Sequence, residues 1–416
     1  MILWKRWMKS GSNSSIAASP PFLKLYLVTF LFFSANPIIN IVLPIYSEAA
    51  GAGNAEIGVM MGAYLMVSML FRPWAGAVVS RYGALKVLRI LLIGNVIVLG
   101  MYAVVGLEWF VVVRGLQGLL TAFFSLSLQM GIVDSLPEKE RAQGISLYLL
   151  AGMLPTVIGP LIAWSLWDIG GMQAFTISIL IIAVTTIALG YKASVPGRPL
   201  KREKVSTAES ASRKTMRKSL IAVVGNRFFL VCSIVMLVAS IGFGTVTTFV
   251  VLYVKQIGNG NPGLFFMLQA GMMVAARFVL RSRIPSDGKW HPVLTSSLLF
   301  CLAAGIQFLS LAALGPTFLM YIASLLIGLG MAIIYPLLIT YLTFVLSDAT
   351  RNVLVGLFIA MSDLGVVLGN IIMGSVADKT SYSFMFMLCA VLALITGVFV
   401  LVTGVIMHKD AETKSI

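Results

Sequence analysis

Charge is what this chain has least of. Only 11% of its 416 residues are Asp, Glu, Lys or Arg, against 59% that are hydrophobic. A soluble domain cannot hide that much apolar surface in one core, so a water-exposed globular fold is excluded. Acids number 15 and histidines 2; a membrane-embedded enzyme would lack the convergent acid–base or metal cluster it needs. Cysteine is scarcer still. Cys232, Cys301 and Cys389 lie in three separate apolar stretches, where free Cys behaves as a small hydrophobe, so no disulfide, bound metal or cofactor is expected. No GxxxxGK[ST] loop occurs, which argues against ATP drive.

What the chain does have is apolar runs of spanning length. About 20 residues cross a ~30 Å hydrocarbon core, and such runs recur at 22–46, 57–79, 86–106, 107–133, 143–165, 172–192, 228–254, 264–284, 292–313, 317–345, 353–376 and 383–407. Continuous runs rule out a β-barrel, whose strands alternate. Threading these spans from a cytoplasmic N-terminus leaves every Lys and Arg on the cytoplasmic side except Lys255, Lys379 and the intramembrane Arg114. That is the positive-inside rule, with both termini cytoplasmic. The net charge of +15 is therefore a topology signal, and no nucleic-acid partner is expected. Residues 1–21 are polar and basic, and no cleavable signal peptide is read there.

Residues 193–227 break the pattern. They carry Arg198, Lys201, Arg202, Lys204, Arg213, Lys214, Arg217 and Lys218 with no apolar face, as a solvated linker between two halves would. The organisation read is a tail at 1–21, a six-helix lobe at 22–192, the linker, a second lobe at 228–407 and a tail at 408–416. The halves repeat. A shift of 205 superposes Gly53 on Gly258, Asn54 on Asn259, Gly58 on Gly263, Arg72 on Arg277 and Gly83 on Gly288; a shift of 210 superposes Gly118 on Gly328, Glu138 on Asp348, Arg141 on Arg351 and Gly159 on Gly369. Parallel repeats of this kind describe two-lobed secondary transporters with a substrate site between the lobes near the midplane. The fold class expected is an all-α membrane protein of twelve transmembrane helices in two pseudo-symmetric lobes.

Arg114 lies inside the fourth run. A guanidinium stays charged at any biological pH, and at a helix centre it costs at least ~2.5 kcal/mol on insertion scales. It should face a protein interior or a watery cavity. Gln117, Thr121 and Ser125 follow at spacings of three and four, a polar stripe on one helix face. Asn36 and Asn40 share a face of the first span, while Thr245 and Thr248 come from the seventh and Tyr335 from the tenth. Such residues also serve as interhelical glue, and a structural ion pair is the alternative for Arg114. Asp363 is the one acid deep within a span, which makes it the candidate for proton coupling.

Arg114-x-x-Gln117-Gly118 resembles the fourth-helix motif of the major facilitator superfamily, whose Arg is linked to proton coupling. Gly76, Arg81, Gly83 and Lys86 resemble its second-to-third-helix signature, with Ser80 where the family keeps an Asp. Gly159-Pro160 is half of its antiporter signature, with Pro155 and Ala163-Trp164 as departures. Longer strings are similar to the bacterial exporters of staphylopine-type opine metallophores: FFSAN (32–36), FRPWAG (71–76), TAFFSLSLQ (121–129) and LPEKERAQGISLY (136–148).

The resemblance implies alternating access around a site lined by helices 1, 4, 7 and 10, and helices 2 and 11 meeting between lobes. At 1.5 Å per residue Arg72 and Asp363 differ in depth by only about 4–5 Å. They are expected to form a bridge that closes the cytoplasmic side when the outside is open, replacing the latch lost with Ser80; the alternative is that Asp363 pairs within its own lobe. Arg277, Gly76, Arg81 and Gly83 complete the expected gating set. The expected substrate is an opine-type metallophore, moved metal-free in exchange for protons by a monomer in the bacterial cytoplasmic membrane. Multidrug efflux by the same fold and a non-transporting receptor are the rival readings.

Overall fold

The computed structural model describes residues 16–192, 227–280, 285, 287–346 and 348–413, and among these there is no strand. Eleven helices are long and apolar enough to cross a membrane. One of them, Glu138–Gly190, is a 53-residue helix whose backbone leaves helical geometry at Gly170 (φ −153°, ψ 18°) and Gly171 (φ 52°, ψ −135°). A side chain at 171 would oppose that positive φ, so the pair of glycines is where the chain can turn and start a second span. Counting it as two gives twelve spans, as the hydrophobic runs foretold.

The helices are α1 (Pro20–Ala49), α2 (Asn54–Tyr82), α3 (Ala84–Val104), α4 (Phe110–Ser135), α5 (138–169), α6 (172–190), α7 (Arg227–Ile257), α8 (Pro262–Val279), α9 (Pro292–Ser310), α10 (Phe318–Val345), α11 (Asp348–Lys379) and α12 (Tyr382–Thr413). The linker read at 193–227 lies outside the described residues apart from Arg227.

The bundle inverts the soluble pattern. Ile90, Ile97, Val104 and Ile169 face outward at 61–84% exposure while Asn95, Arg114, Gln117 and Gln269 are buried. With no hydrophobic drive between helices in lipid, association rests on close backbone approach at small residues, and the glycines show it. A Cβ on Gly118 would stand 2.0 Å from the Tyr64 carbonyl oxygen, locking α4 to α2. Its repeat, Gly328, stands 2.4 Å from the Gln269 carbonyl, locking α10 to α8.

Contact after contact recurs at the two shifts. Gly58 approaches the Asn370 carbonyl as Gly263 approaches that of Pro160. Arg141 donates to the Leu136 carbonyl at 3.3 Å, and Arg351 to the Leu346 carbonyl at 3.4 Å. Gly83 and Gly288 both take positive φ, 90° and 71°, at matching turns. Within each half the second helix packs on the fourth and the first on the fifth, and α2–α11 and α5–α8 contacts join the two lobes.

One end of the interface is tied shut by polar contacts between lobes. The Asp378 carboxylate on α11 accepts from the backbone N–H of Asn54 and Ala55 (both 2.8 Å) and from Asn54 Nδ2 (2.9 Å) at the start of α2. Tyr382 donates to Asn54 Oδ1 at 2.6 Å, and Lys255 on α7 meets Glu48 on α1 at 2.7 Å.

Candidate functional site

Between the lobes lies a cavity of about 310 Å³. Its N-terminal wall carries Asn36, Asn40, Tyr64 and Arg114, and its opposite wall Thr247, Thr248, Gln269 and Asn370. Met61, Phe243, Phe266 and Met273 supply apolar surface.

Arg114 organises the N-terminal wall. It is 2% exposed. Its Nη1 donates to Asn36 Oδ1 (3.2 Å) and Gln117 Oε1 (3.0 Å), and its Nη2 to Asn40 Oδ1 (2.9 Å). The guanidinium lies over the Tyr64 ring, 4.7 Å from its centroid. Helical geometry explains the fit: Asn36 and Asn40 stand one turn apart on α1, and the planar fork of Arg114 spans that spacing. Every one of these partners is neutral. They accept hydrogen bonds without cancelling the charge, and Nε is buried with no hydrogen-bond partner. A carboxylate arriving beside such a group gains about 4 kcal/mol at 4 Å for an effective dielectric of 20.

The rest of the polar stripe on α4 is not part of the cavity lining. Gln117 is buried behind Arg114 and accepts from the Tyr102 hydroxyl at 3.3 Å. Thr121 donates to the Gln117 carbonyl and Ser125 to the Ala122 carbonyl, each folded back on its own helix. On α7, Thr245 is fully buried and bonded to the Ile241 and Gly369 carbonyls, whereas Thr248 lines the cavity and pairs with Asn370 at 3.0 Å. Turning the Asn370 amide so that its nitrogen faces the Gly244 carbonyl (2.8 Å) and that of Val366 (3.2 Å) satisfies both.

Tyr335 does not reach the cavity. It packs against Phe358 and lies within electrostatic range of Arg72, Asp363 and Arg277. The lining is thus drawn from α1, α2, α4, α5, α7, α8 and α11, and the expectation of helices 1, 4, 7 and 10 is corrected at α10. The residues that the tight glycine approaches of α4 and α10 pack against, Tyr64 on α2 and Gln269 on α8, are themselves in the lining.

Sequence reasoning missed Tyr64, Gln269 and Asn370. The lining follows the repeat: Tyr64 and Gln269 are related by 205, Pro160 and Asn370 by 210.

Arg72 and Asp363 form a salt bridge across the lobes, with side chains 39% and 15% exposed. Arg277, the repeat of Arg72, bonds the Ala332 carbonyl at 3.4 Å and approaches Met153 Sδ at 3.7 Å. Gly76 has open space around it, Arg81 is exposed and stacks on Tyr82, and Ser80 bonds the Ala77 carbonyl. No group of three or more His, Cys, Asp or Glu able to hold a metal occurs among the described residues, and the three cysteines are free.

The family model described as Major Facilitator Superfamily matches residues 25–286 and 287–415. The chain belongs to the major facilitator superfamily. Within that superfamily it is 42% identical over 377 residues to the staphylopine export protein of Staphylococcus aureus, covering 90% of this chain and 94% of the relative. A putative tartrate transporter of Agrobacterium vitis is 24% identical, covering 94% and 91%. Among solved structures the nucleoside transporter NupG superposes with a TM-score of 0.72 at 16% identity, covering 91% of this chain and 98% of that one; this likeness carries the fold alone. The superfamily's members are membrane transporters, so this chain is a multi-pass transporter and not an enzyme.

Proposed function

We propose that this protein exports a small, polar, opine-type metallophore across the bacterial cytoplasmic membrane, in exchange for protons and by alternating access. The observation that carries the reading is Arg114: a buried cation held only by neutral groups, at the wall of a cavity between two lobes. Its charge is left for the cargo, and guanidinium is the side chain best shaped to grip a carboxylate by two hydrogen bonds. The 42% identity to a staphylopine exporter over nine-tenths of the chain supports the substrate class. That relative and the tartrate transporter both move carboxylate-bearing molecules by their names.

In this reading both termini are cytoplasmic, and the end tied by Asp378 faces outside. Lobes 22–192 and 228–407, joined by the basic segment 193–227, rock about the cavity as a monomer. Asn36, Asn40, Gln117, Thr121 and Ser125 support or border the Arg114 wall, with Thr245 and Thr248 opposite. Asp363 is the coupling acid. Its bridge to Arg72 stands in this structure together with the Asp378 contacts at the other end of the interface. Protonating Asp363 would release Arg72, which links proton binding to the lobe interface. The metallophore travels metal-free, since the chelator works outside the cell.

The test compares extracellular staphylopine from producing cells that lack this protein, express it, or express Arg114→Lys. Export restored by the wild type and not by the variant supports the reading; equal export in all three sinks it. Phe243, Phe266 and the methionines of the cavity keep lipophilic drugs as the alternative cargo, and resistance to lipophilic cations without metallophore export would favour it.

A further inference from the structure

The lobes repeat their interface contacts, and one repetition is incomplete. Arg72 on α2 meets Asp363 on α11. The copy of Arg72 is Arg277 on α8, and the copy of position 363 is Met153 on α5 (363 − 210 = 153). The structure preserves the pairing while losing its charge: Arg277 Nη1 points at Met153 Sδ, 3.7 Å away. Thioether sulfur is a weak acceptor. The other contact, Nε to the Ala332 carbonyl, is 3.4 Å, beyond the usual range of such bonds. Asp363 is already engaged by Arg72, so Arg277 is a half-buried cation held at long range by two neutral atoms.

Its position gives that charge a use. Arg277 follows Met273, which lines the cavity, by one helical turn, and Gln269 by two. Because α8 starts at the end closed by Asp378, Arg277 stands on the far side of the cavity from that closure. Tyr335 lies within electrostatic range of both Arg277 and the Arg72–Asp363 bridge. Beyond the cavity from that closure the lobe interface therefore holds one compensated arginine and one uncompensated arginine.

We infer that Arg277 is a second anion site, on the cytoplasmic approach, that takes a carboxylate of the cargo before Arg114 does. The inference rests on the export reading and sharpens it. A cargo with two or more carboxylates can engage Arg114 while leaving Arg277, whereas a cationic drug is repelled at the first station. Met153 is what keeps the site vacant, since an acid there would complete the copy of the Arg72–Asp363 pair.

The test is staphylopine uptake into everted membrane vesicles, reading KM and maximal rate separately. Met153→Glu supplies the missing acid and Arg277→Gln removes the cation. Both are expected to raise KM about tenfold with the maximal rate kept, and Arg277→Lys should return KM to within a few-fold of wild type. Met153→Glu guards against misfolding, because its new pair copies one the fold already holds. An unchanged KM in either variant, or a fall in rate at constant KM, overturns the inference while leaving the export reading intact. Wild-type vesicles that take up no staphylopine overturn both.

Discussion

Asp378 closes one end of the lobe interface by capping a helix of the other lobe: its carboxylate accepts three hydrogen bonds from Asn54 and Ala55 at the N-terminus of α2. At this exposed end such bonds contribute at most about 0.5–1.5 kcal/mol each, but there are three of them, and the helix dipole adds a few tenths to 1 kcal/mol. Lys255–Glu48, bridging the same end with side chains 43% and 34% exposed, contributes about 0–1 kcal/mol. Asp378→Ala should therefore shift the protein toward the form open at that end, and Lys255→Ala should not. Labelling of a cysteine placed at Thr247 by an impermeant maleimide added outside intact cells checks this. Equal labelling rates in the two variants would contradict the ranking.

Arg114→Lys tests geometry at constant charge. An ammonium is a point donor and cannot span Asn36 and Asn40 as the guanidinium does. Transport should fall about 10–100-fold, with Asn40→Ala costing less because Asn36 and Gln117 still hold the fork. Initial rates of staphylopine uptake into everted vesicles measure both. A Lys variant at wild-type rate would show that charge alone suffices.

Much of this was legible in the chain, and the part that was not has a physical cause. Apolar runs fix spans because lipid demands them, and Arg114 announced itself by its cost. The repeat made Arg72 and Arg277 a pair before any contact was known. Side-chain direction was not legible. Thr121, Ser125 and Thr245 share spacings with cavity residues yet fold back on carbonyls of their own helices, a competition that periodicity does not register. Tyr335 was placed in the wall on helix number alone, and the glycine locks that join α2 to α4 and α8 to α10 depend on partners distant in sequence.

The Arg72–Asp363 bridge should separate stability from coupling. Asp363→Asn leaves Arg72 facing a neutral amide in a partly exposed interface, at a cost of about 1–3 kcal/mol. Replacing both, as Arg72→Met with Asp363→Leu, removes the unpaired charge and should recover the unfolding midpoint in detergent. If Asp363 carries the coupled proton, neither form should drive substrate against its gradient on an imposed pH difference. Gradient-driven uptake in the double variant would leave Asp363 a structural partner only.

Gly118 and Gly76 both sit in stretches that resemble family signatures, and the structure assigns them different consequences. A Cβ on Gly118 would stand 2.0 Å from the Tyr64 carbonyl oxygen. Backbone cannot rotate out of the way as a side chain can, so α2 and α4 must part, and Tyr64 would be drawn off the Arg114 guanidinium it covers. Overpacking of this kind costs about 1–3 kcal/mol. Around Gly76 nothing lies within 4 Å of an added Cβ, and alanine is favoured over glycine inside a helix by about 1 kcal/mol. Gly118→Ala should lower the unfolding midpoint and weaken substrate binding together, while Gly76→Ala should hold or raise the midpoint. Thermal unfolding in detergent, with and without staphylopine, distinguishes them. A midpoint lowered equally by both would mean that the open space at Gly76 is closed in another state of the cycle.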